Sequence, residues 1–379
     1  MAVGSATTHQ MQKKTKATAS TSLTQTDSTI RLFISGHSLT DQPIPDQLAA
    51  IASSLGTEID WDRQYIVGSS ILMRSKGSNI SAPDWPGYRA GLNRNAPEGN
   101  PVSDFRNPRT ILDRSYDALL ITEQNGVLSS LTWQNTVRYL RHYHDRLIEG
   151  NPRATTYFYE SWIGLNDKSD PRRWIAYERK ASPIWQCIAT RINLSLEAKG
   201  RTDRIVSLPA GNALAELVES AISTPGVPGI SLASTRETVN SIIKDDVHLT
   251  ELGSYYMALV SYSTITGKAP LKAWHPATIT ESQANSLQKT AWDFVSKYAI
   301  TNVPLTLDEC RIVLRTSFLD DYWGYVRDSI WRREGNPVFA YFRWARYLLK
   351  WHWLIRQNSP DNPFYFNGQA DPSSQSPGH

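Results

Sequence analysis

The chain has 379 residues, of which 40% are hydrophobic and 20% are charged, and its formal net charge is +4. This composition supports a sizeable core and excludes wholesale disorder, while the mild charge gives no sign of nucleic-acid binding. The two cysteines, Cys187 and Cys310, have neither Cys-x-x-Cys spacing nor a histidine cluster, so no zinc site is expected and a disulfide is left open.

The first 29 residues are rich in Ser, Thr, Ala and Gln, and no apolar run follows their lysines. We therefore predict a flexible tail over 1–29 and find no readable signal peptide. No run of about 18 uncharged apolar residues occurs, so the sequence predicts no membrane span.

The first predicted strand, residues 31–35, ends at Gly36, and a hydroxyl follows two residues later at Ser38. Thr40-Asp41 is a helix-start signal, so the pattern predicts a strand, a tight turn and a helix N-terminus. Such a turn brings Ser38 to the carboxyl edge of a sheet, where unpaired N–H groups can stabilise an oxyanion. On this stretch alone, an ordinary turn in which Ser38 caps the helix fits equally well.

Near the other end of the chain, a polar turn places Asp245 three positions before His248. A serine nucleophile needs a base to take its proton, and that base needs a carboxylate on its other nitrogen. Asp-x-x-His supplies both from one turn of backbone, with Asp246 as the alternative carboxylate. Together with Ser38 upstream, this spacing favours a catalytic histidine over a structural one.

The blocks Gly36-His-Ser38-Leu-Thr-Asp41 and Asp245-Asp-Val-His248-Leu-Thr resemble the first and last conserved blocks of the SGNH (GDSL-type) hydrolase superfamily. The resemblance covers about residues 30–300 and implies a three-layer α/β/α sandwich with a parallel, flavodoxin-like sheet. It also implies esterase or acyl-transfer chemistry by a Ser-His-Asp triad of Ser38, His248 and Asp245, without a metal or an organic cofactor.

Two middle blocks of that superfamily should supply a Gly and an Asn to an oxyanion hole. Gly68 follows the second predicted strand, residues 58–67, and Asn125 follows the third, residues 116–122. The resemblance thus assigns the oxyanion hole to the Ser38 and Gly68 N–H groups and the Asn125 side chain.

The chain departs from the superfamily pattern at two places. His37 stands where the superfamily usually has Asp beside the nucleophile, and Glu123-Gln-Asn-Gly126 replaces Gly-x-Asn-Asp. The third block can therefore be one residue out, with Gln124 in place of Asn125. An amide is expected because it donates N–H to the oxyanion while it stays neutral.

Three aromatic residues are candidates for lining the substrate pocket. Trp85 and Tyr88 lie in a long predicted loop over 72–110, where they either stack on substrate or only pin the loop down. Trp162 follows the fourth predicted strand, residues 155–159, at the sheet edge where ligands of open α/β sheets bind. Short apolar runs alternate with helical segments through this region, which indicates a parallel sheet.

From residue 301 the chain becomes rich in Trp and Arg. We divide it into a catalytic domain over 30–300, an aromatic-rich helical extension over 301–358 and a disordered tail over 359–379. Within the extension, residues 338–355 are apolar and aromatic but interrupted by Arg, Lys and His. This pattern fits an interfacial membrane helix or a helix packed on the main domain, and we prefer packing.

The sequence therefore predicts a serine esterase that removes small acyl groups, acetyl foremost, from carbohydrate. An O-acyltransferase in which a sugar hydroxyl replaces water would use the same residues. A non-catalytic carbohydrate-binding module on the same fold is the third hypothesis. The resemblance also favours an extracytoplasmic location.

Overall fold

The computed structural model describes residues 29–81, 83–94, 99–106 and 115–368. The predicted N-terminal tail, apart from Thr29, and the last part of the predicted C-terminal tail lie outside the described residues. Within them, five strands form one sheet in which each strand runs parallel to its neighbours. The strands are β1 (Ile30–Gly36), β2 (Ile59–Tyr65), β3 (Ala118–Thr122), β4 (Thr155–Tyr159) and β5 (Ile205–Leu208).

The strand order is β2-β1-β3-β4-β5, which puts β1 and β3 at the centre of the sheet. Leu32 of β1 pairs with Ala118 of β3, and Ser35 pairs with Ile121. All five residues of β3 are buried, as are six of the seven residues of β1. Near-continuous buried runs of this kind are typical of parallel strands covered on both faces. The predicted α/β class with a parallel sheet is confirmed.

The crossovers that parallel pairing requires are largely helical. In chain order the helices are α1 (Ile44–Ser54), α2 (Ile71–Ser75), α3 (Pro101–Arg106), α4 (Val127–Trp133), α5 (Thr136–Gly150), α6 (Arg172–Glu197), α7 (Ala210–Ile222), α8 (Thr235–Ile242), α9 (Glu251–Thr266), α10 (Glu281–Thr301), α11 (Leu307–Val313), α12 (Leu319–Val326), α13 (Arg332–Glu334) and α14 (Pro337–Leu354). Helices α1, α7, α8, α9 and α10 pack against one another, while α2, α3, α4 and α6 each contact α5.

Helix α9 is buried on nearly every side between Gly253 and Ser263, as expected for a helix that is apolar all round. Its start is well defined, because the Thr250 hydroxyl accepts a hydrogen bond from the Gly253 N–H at 3.2 Å. Thr250, the residue that caps this start, lies two residues after His248. The block that contains Asp245 and His248 therefore ends at the N-terminus of a buried helix.

The C-terminal extension is helical and packs on α6. Cys187 of α6 and Cys310 of α11 form a disulfide, and Tyr177 of α6 contacts the rings of Tyr322 and Tyr325 of α12. Two π-helical turns, Leu314–Phe318 and Arg327–Trp331, flank α12. No helix in the described part of the chain has the length and hydropathy needed to cross a bilayer.

Candidate active site

The order of the strands creates a crevice at the carboxyl edge between β1 and β3. The strands on either side of β1, which are β2 and β3, are reached by crossovers in opposite directions. Open parallel sheets bind their ligands at such a topological switch point. The loop after β1 carries Ser38, and the loop after β3 carries Gln124 and Asn125. Two of the predicted blocks therefore open onto this crevice.

The turn that carries Ser38 is held by its buried neighbour His37. The Leu39 N–H donates to His37 Nδ1 at 3.5 Å, and His37 Nε2 lies 2.9 Å from the Glu123 carbonyl oxygen. An imidazole that accepts at one nitrogen and donates at the other is neutral. Burial and then the Arg74 guanidinium lower the pKa of His37 to about 4. The histidine that departs from the superfamily pattern thus ties the Ser38 turn to the end of β3.

Ser38 itself is half-buried, and it lies in a turn and not at a helix N-terminus. The helix-start signal at Thr40-Asp41 lies in the turn before α1, which begins at Ile44. Thr40 bonds back to the His37 carbonyl, and Asp41 pairs with Arg63. Among the described residues, no hydrogen bond joins the Ser38 hydroxyl to another group, His248 included. The Ser38 hydroxyl is therefore available to a substrate.

Asp245 and His248 form a hydrogen-bonded pair. Asp245 Oδ2 lies 2.8 Å from His248 Nδ1, while Oδ1 accepts the N–H groups of Val247 and His248 at 2.9 and 2.8 Å. Burial alone would raise the pKa of Asp245, but these backbone and side-chain donors outweigh it and lower the pKa to about 2. Asp245 is therefore ionised at neutral pH and faces Nδ1, which leaves Nε2 of His248 free to act as a base.

The loop that carries this pair is tied to the segment after β4. The buried indole of Trp162 donates from Nε1 to the Val247 carbonyl at 2.8 Å, and the Leu165 N–H donates to the Asp246 carbonyl at 2.7 Å. Trp162, which we predicted as a substrate-lining residue, is only 1% exposed and supports the His248 loop instead. His248 also contributes to lowering the pKa of His37, so the loop lies within electrostatic reach of the Ser38 turn.

The two amides that competed for the oxyanion role have different surroundings. The Gln124 side-chain Nε2 donates to the Gly68 carbonyl at 2.6 Å, and the backbone carbonyl of Gln124 accepts from the hydroxyl of Ser161 at 3.0 Å. Gly68 has a φ of +59°, a conformation that glycine adopts without strain. Asn125 instead lines a cavity beside the crevice. Gln124 thus holds the Gly68 loop against the end of β3, whereas Asn125 belongs to the lining of that cavity.

Two buried charged residues that sequence reasoning missed, Arg74 and Glu123, lie beneath the site. Arg74 donates to the hydroxyls of Ser35 and Ser69 at 2.9 and 2.6 Å and to the Thr122 carbonyl. Glu123 accepts from the Gln124 N–H at 2.8 Å. Burial lowers the pKa of Arg74 to about 10 and raises that of Glu123, while each charge favours the other. An arginine in the apolar run after Gly68 and a glutamate directly after β3 were the available signals.

A cavity of about 520 Å³ opens beside Asn125, and we name it the Asn125 cavity. One wall comes from the main domain and the other from the extension. Tyr322 Oη lies 3.0 Å from the Ser129 nitrogen, and Tyr325 donates to the Gly164 carbonyl at 2.7 Å, so two extension hydroxyls join the walls. The lining includes Asn125, Gly126, Gly164, Asp246, Val247, Tyr322, Tyr325, Trp331 and Arg333.

Trp85 and Tyr88 pack on α5 and do not line the Asn125 cavity. The Trp85 ring stacks on His142 with centroids 3.6 Å apart, and the Tyr88 hydroxyl lies 2.7 Å from His142 Nδ1. Tyr88 is buried. These contacts correspond to the second of our two interpretations, in which the aromatic residues pin the loop down. In the part of the chain that the structure describes, no group of three or more His, Cys, Asp or Glu is arranged to hold a metal ion.

No family model matches the chain, and no curated protein matches it. Among solved structures, the chain is similar to a crystal structure of a DUF4886 family protein from Bacteroides uniformis. The two chains are 14% identical and superpose with a TM-score of 0.48, over 73% of this chain and 98% of that chain.

Proposed function

We propose that the chain is a serine esterase of the SGNH type that hydrolyses small acyl esters, acetyl foremost, on carbohydrate. The observation that carries the proposal is the Asp245–His248 pair, which is held by Trp162 at the same sheet edge as the Ser38 turn. An ionised carboxylate on one imidazole nitrogen is the arrangement that makes the other nitrogen a general base. The strand order fits the flavodoxin-like parallel sheet of that superfamily.

The proposed reaction uses these groups in turn. Ser38 Oγ attacks the ester carbonyl carbon while His248 Nε2 takes the hydroxyl proton, and Asp245 stabilises the imidazolium that forms. The oxyanion accepts hydrogen bonds from the Ser38 and Gly68 N–H groups and from a side-chain amide. His248 then protonates the leaving alcohol, which leaves an acyl group on Ser38. Water then attacks the acyl-enzyme while His248 Nε2 takes one of its protons. His248 passes this proton to Ser38 Oγ as the ester bond breaks, which releases the carboxylic acid and restores the serine.

We assign the side-chain amide of the oxyanion hole to Asn125. The Gln124 side chain donates an amide N–H to the Gly68 carbonyl and so positions Gly68, while Asn125 is a residue of the cavity lining. Asn125→Ala should lower kcat by about 10²- to 10³-fold with little change in KM, because the donor acts mainly on the transition state. A silent Asn125→Ala together with such a loss in Gln124→Ala would move the role to Gln124.

Solvent exposure favours water over a sugar hydroxyl as the second nucleophile. The side chains of His248 and Asp245 are 44% and 53% exposed, so bulk water reaches the base directly. The Asn125 cavity combines aromatic rings with polar groups, a mixture that suits the sugar part of the ester. The same cavity also keeps acyl transfer as the second candidate, because an acceptor sugar could bind there.

The decisive experiment combines an activated acetyl ester with a fluorophosphonate probe. The wild-type chain should release p-nitrophenol from p-nitrophenyl acetate and should carry the probe on Ser38, as located by peptide mass spectrometry. Ser38→Ala should neither release p-nitrophenol nor carry the probe, and its circular dichroism spectrum should match that of the wild type. The control Ser223→Ala changes an exposed serine at the end of α7 and should show both turnover and labelling. A chain that shows neither turnover nor labelling would be a binding module.

The two catalytic candidates are separated by adding an acetylatable oligosaccharide to the same reaction. Hydrolysis predicts acetate as the product at every oligosaccharide concentration. Transfer predicts acetylated oligosaccharide, seen by mass spectrometry, at the expense of acetate.

A further inference from the structure

Helix α14 is held on one side and presents an apolar surface on the other. Trp351 is fully buried and donates from Nε1 to the Thr132 hydroxyl at 3.0 Å, and Tyr347 stacks on Trp323 with centroids 5.0 Å apart. Our preference for packing therefore describes one face of α14. The opposite face carries large apolar residues that are between 63% and 77% exposed. We name these residues the outer stripe: Val338, Phe339, Phe342, Leu349 and Trp353.

The outer stripe follows the helical repeat. Val338, Phe342, Leu349 and Trp353 are separated by four, seven and four residues, so they lie on one side of the helix. Single exposed apolar residues are ordinary on a protein surface, but a continuous stripe of this size marks an interaction site. The stripe belongs to a helix that is anchored at Trp351, so it is a fixed surface.

Cations surround the outer stripe. Arg343, Arg346, Lys350 and Arg356 are all exposed, and the segment 335–360 contains neither Asp nor Glu. The whole chain has a net charge of only +4, so this segment is unusually basic for the molecule. The complementary occupant is therefore an apolar layer bordered by negative charge.

Two other occupants fit less well. A second copy of the chain, paired across a two-fold axis, would place the stripe against itself and bring two sets of cations together without acidic partners. The terminal segments 1–28 and 369–379 contain no aromatic residue and few large aliphatic ones, so they offer little apolar surface to cover the stripe. An anionic bilayer provides both the headgroup charge and the apolar layer.

We propose that α14 docks the protein on an anionic lipid bilayer, with the helix lying along the surface. The aromatic and aliphatic side chains of the outer stripe enter the boundary between headgroups and acyl chains, and the flanking Arg and Lys side chains pair with lipid phosphates. Trp353 is well suited to this boundary because its indole is largely apolar and still donates a hydrogen bond. This binding does not depend on the esterase proposal.

The test is flotation of the full chain with vesicles of phosphatidylcholine alone or with about one third phosphatidylglycerol. The wild-type chain should float with the anionic vesicles and much less with the neutral ones. The combined variant Phe342→Ser/Leu349→Ser/Trp353→Ser should lower the partition coefficient roughly hundredfold, since three large apolar groups no longer leave water. Its matched control is Leu232→Ser/Ile300→Ser/Val303→Ser, which changes exposed apolar residues outside α14 and should float like wild type.

A charge variant tests the lipid preference separately. Arg343→Gln/Arg346→Gln/Lys350→Gln should weaken binding to anionic vesicles about a hundredfold and bring it close to binding of neutral ones. The control Arg153→Gln/Lys272→Gln/Lys297→Gln removes three exposed cations outside the extension and should change little.

Three results would overturn the proposal. The first is a wild-type chain that stays with the soluble fraction in the presence of anionic vesicles. The second is an equal loss of flotation in a stripe variant and its control. The third is a dimer in light scattering that the outer-stripe variant abolishes, which would make a second copy the occupant of the stripe.

Discussion

Replacing His37 by Gln should reduce the loss of stability in mild acid. The His37 ring is buried, and its two nitrogens serve the Leu39 N–H and the Glu123 carbonyl only in the neutral form. Its pKa is lowered to about 4 in the folded chain, first by burial and then by the nearby Arg74 charge. An unfolded chain has a histidine pKa of about 6.5. Between about pH 4 and pH 6.5, His37 is therefore protonated in the unfolded chain and neutral in the folded chain.

The sign and size of the effect follow from this difference. His37 does not lower the free energy of unfolding above about pH 6.5. As the pH drops towards 4, the free energy of unfolding falls, because protonation of His37 stabilises the unfolded state. At pH 5, a shift from 6.5 to 4 corresponds to a loss of about 2 kcal/mol in the free energy of unfolding. A glutamine at this position does not titrate, and its amide N–H can replace Nε2–H as the donor to Glu123.

The assay is urea unfolding followed by tryptophan fluorescence, with both proteins measured at pH 7.5 and pH 5. The wild-type chain should lose about 2 kcal/mol more than His37→Gln between the two conditions. Burial also lowers the pKa values of His142, to about 3, and of His144, but both remain in the two proteins and cancel in the comparison. Equal losses in the two proteins would refute a buried neutral imidazole beside Ser38.

Three further predictions concern the site and its support. Asp245→Asn should lower kcat/KM for p-nitrophenyl acetate by about 10²- to 10⁴-fold, while Asp246→Asn should have a kcat/KM near that of the wild type. A large loss in Asp246→Asn and none in Asp245→Asn would make Asp246 the carboxylate that orients His248. Trp162→Phe keeps an aromatic ring but removes the hydrogen-bond donor to the His248 loop, so kcat should fall roughly tenfold at constant KM. A kcat equal to that of the wild type would show that Trp162 does not position the loop. The double change Cys187→Ser/Cys310→Ser should cost about 2 to 5 kcal/mol in urea unfolding under oxidising conditions, with no difference expected once the wild type is reduced.

Local interactions made part of this molecule readable from sequence. The apolar runs of β1 and β3 predicted buried parallel strands, because side chains buried on both faces need no alternation. The spacing of Asp245 and His248 predicted their pairing, because three residues form one turn and the Asp245 carboxylate can accept backbone N–H groups while facing the imidazole. Such features depend on neighbours in the chain and hardly on the rest of the fold.

Contacts between distant parts of the chain were decided only by the tertiary structure. His37 meets the Glu123 carbonyl across 86 positions, and Trp162 meets the Val247 carbonyl across 85, because the strand order brings those loops to one edge. The composition of α14 fitted both a packed helix and an interfacial helix, and we preferred packing. Only the position of α14 against α4 and α12 decides which side is buried, because burial depends on the neighbours that the fold supplies.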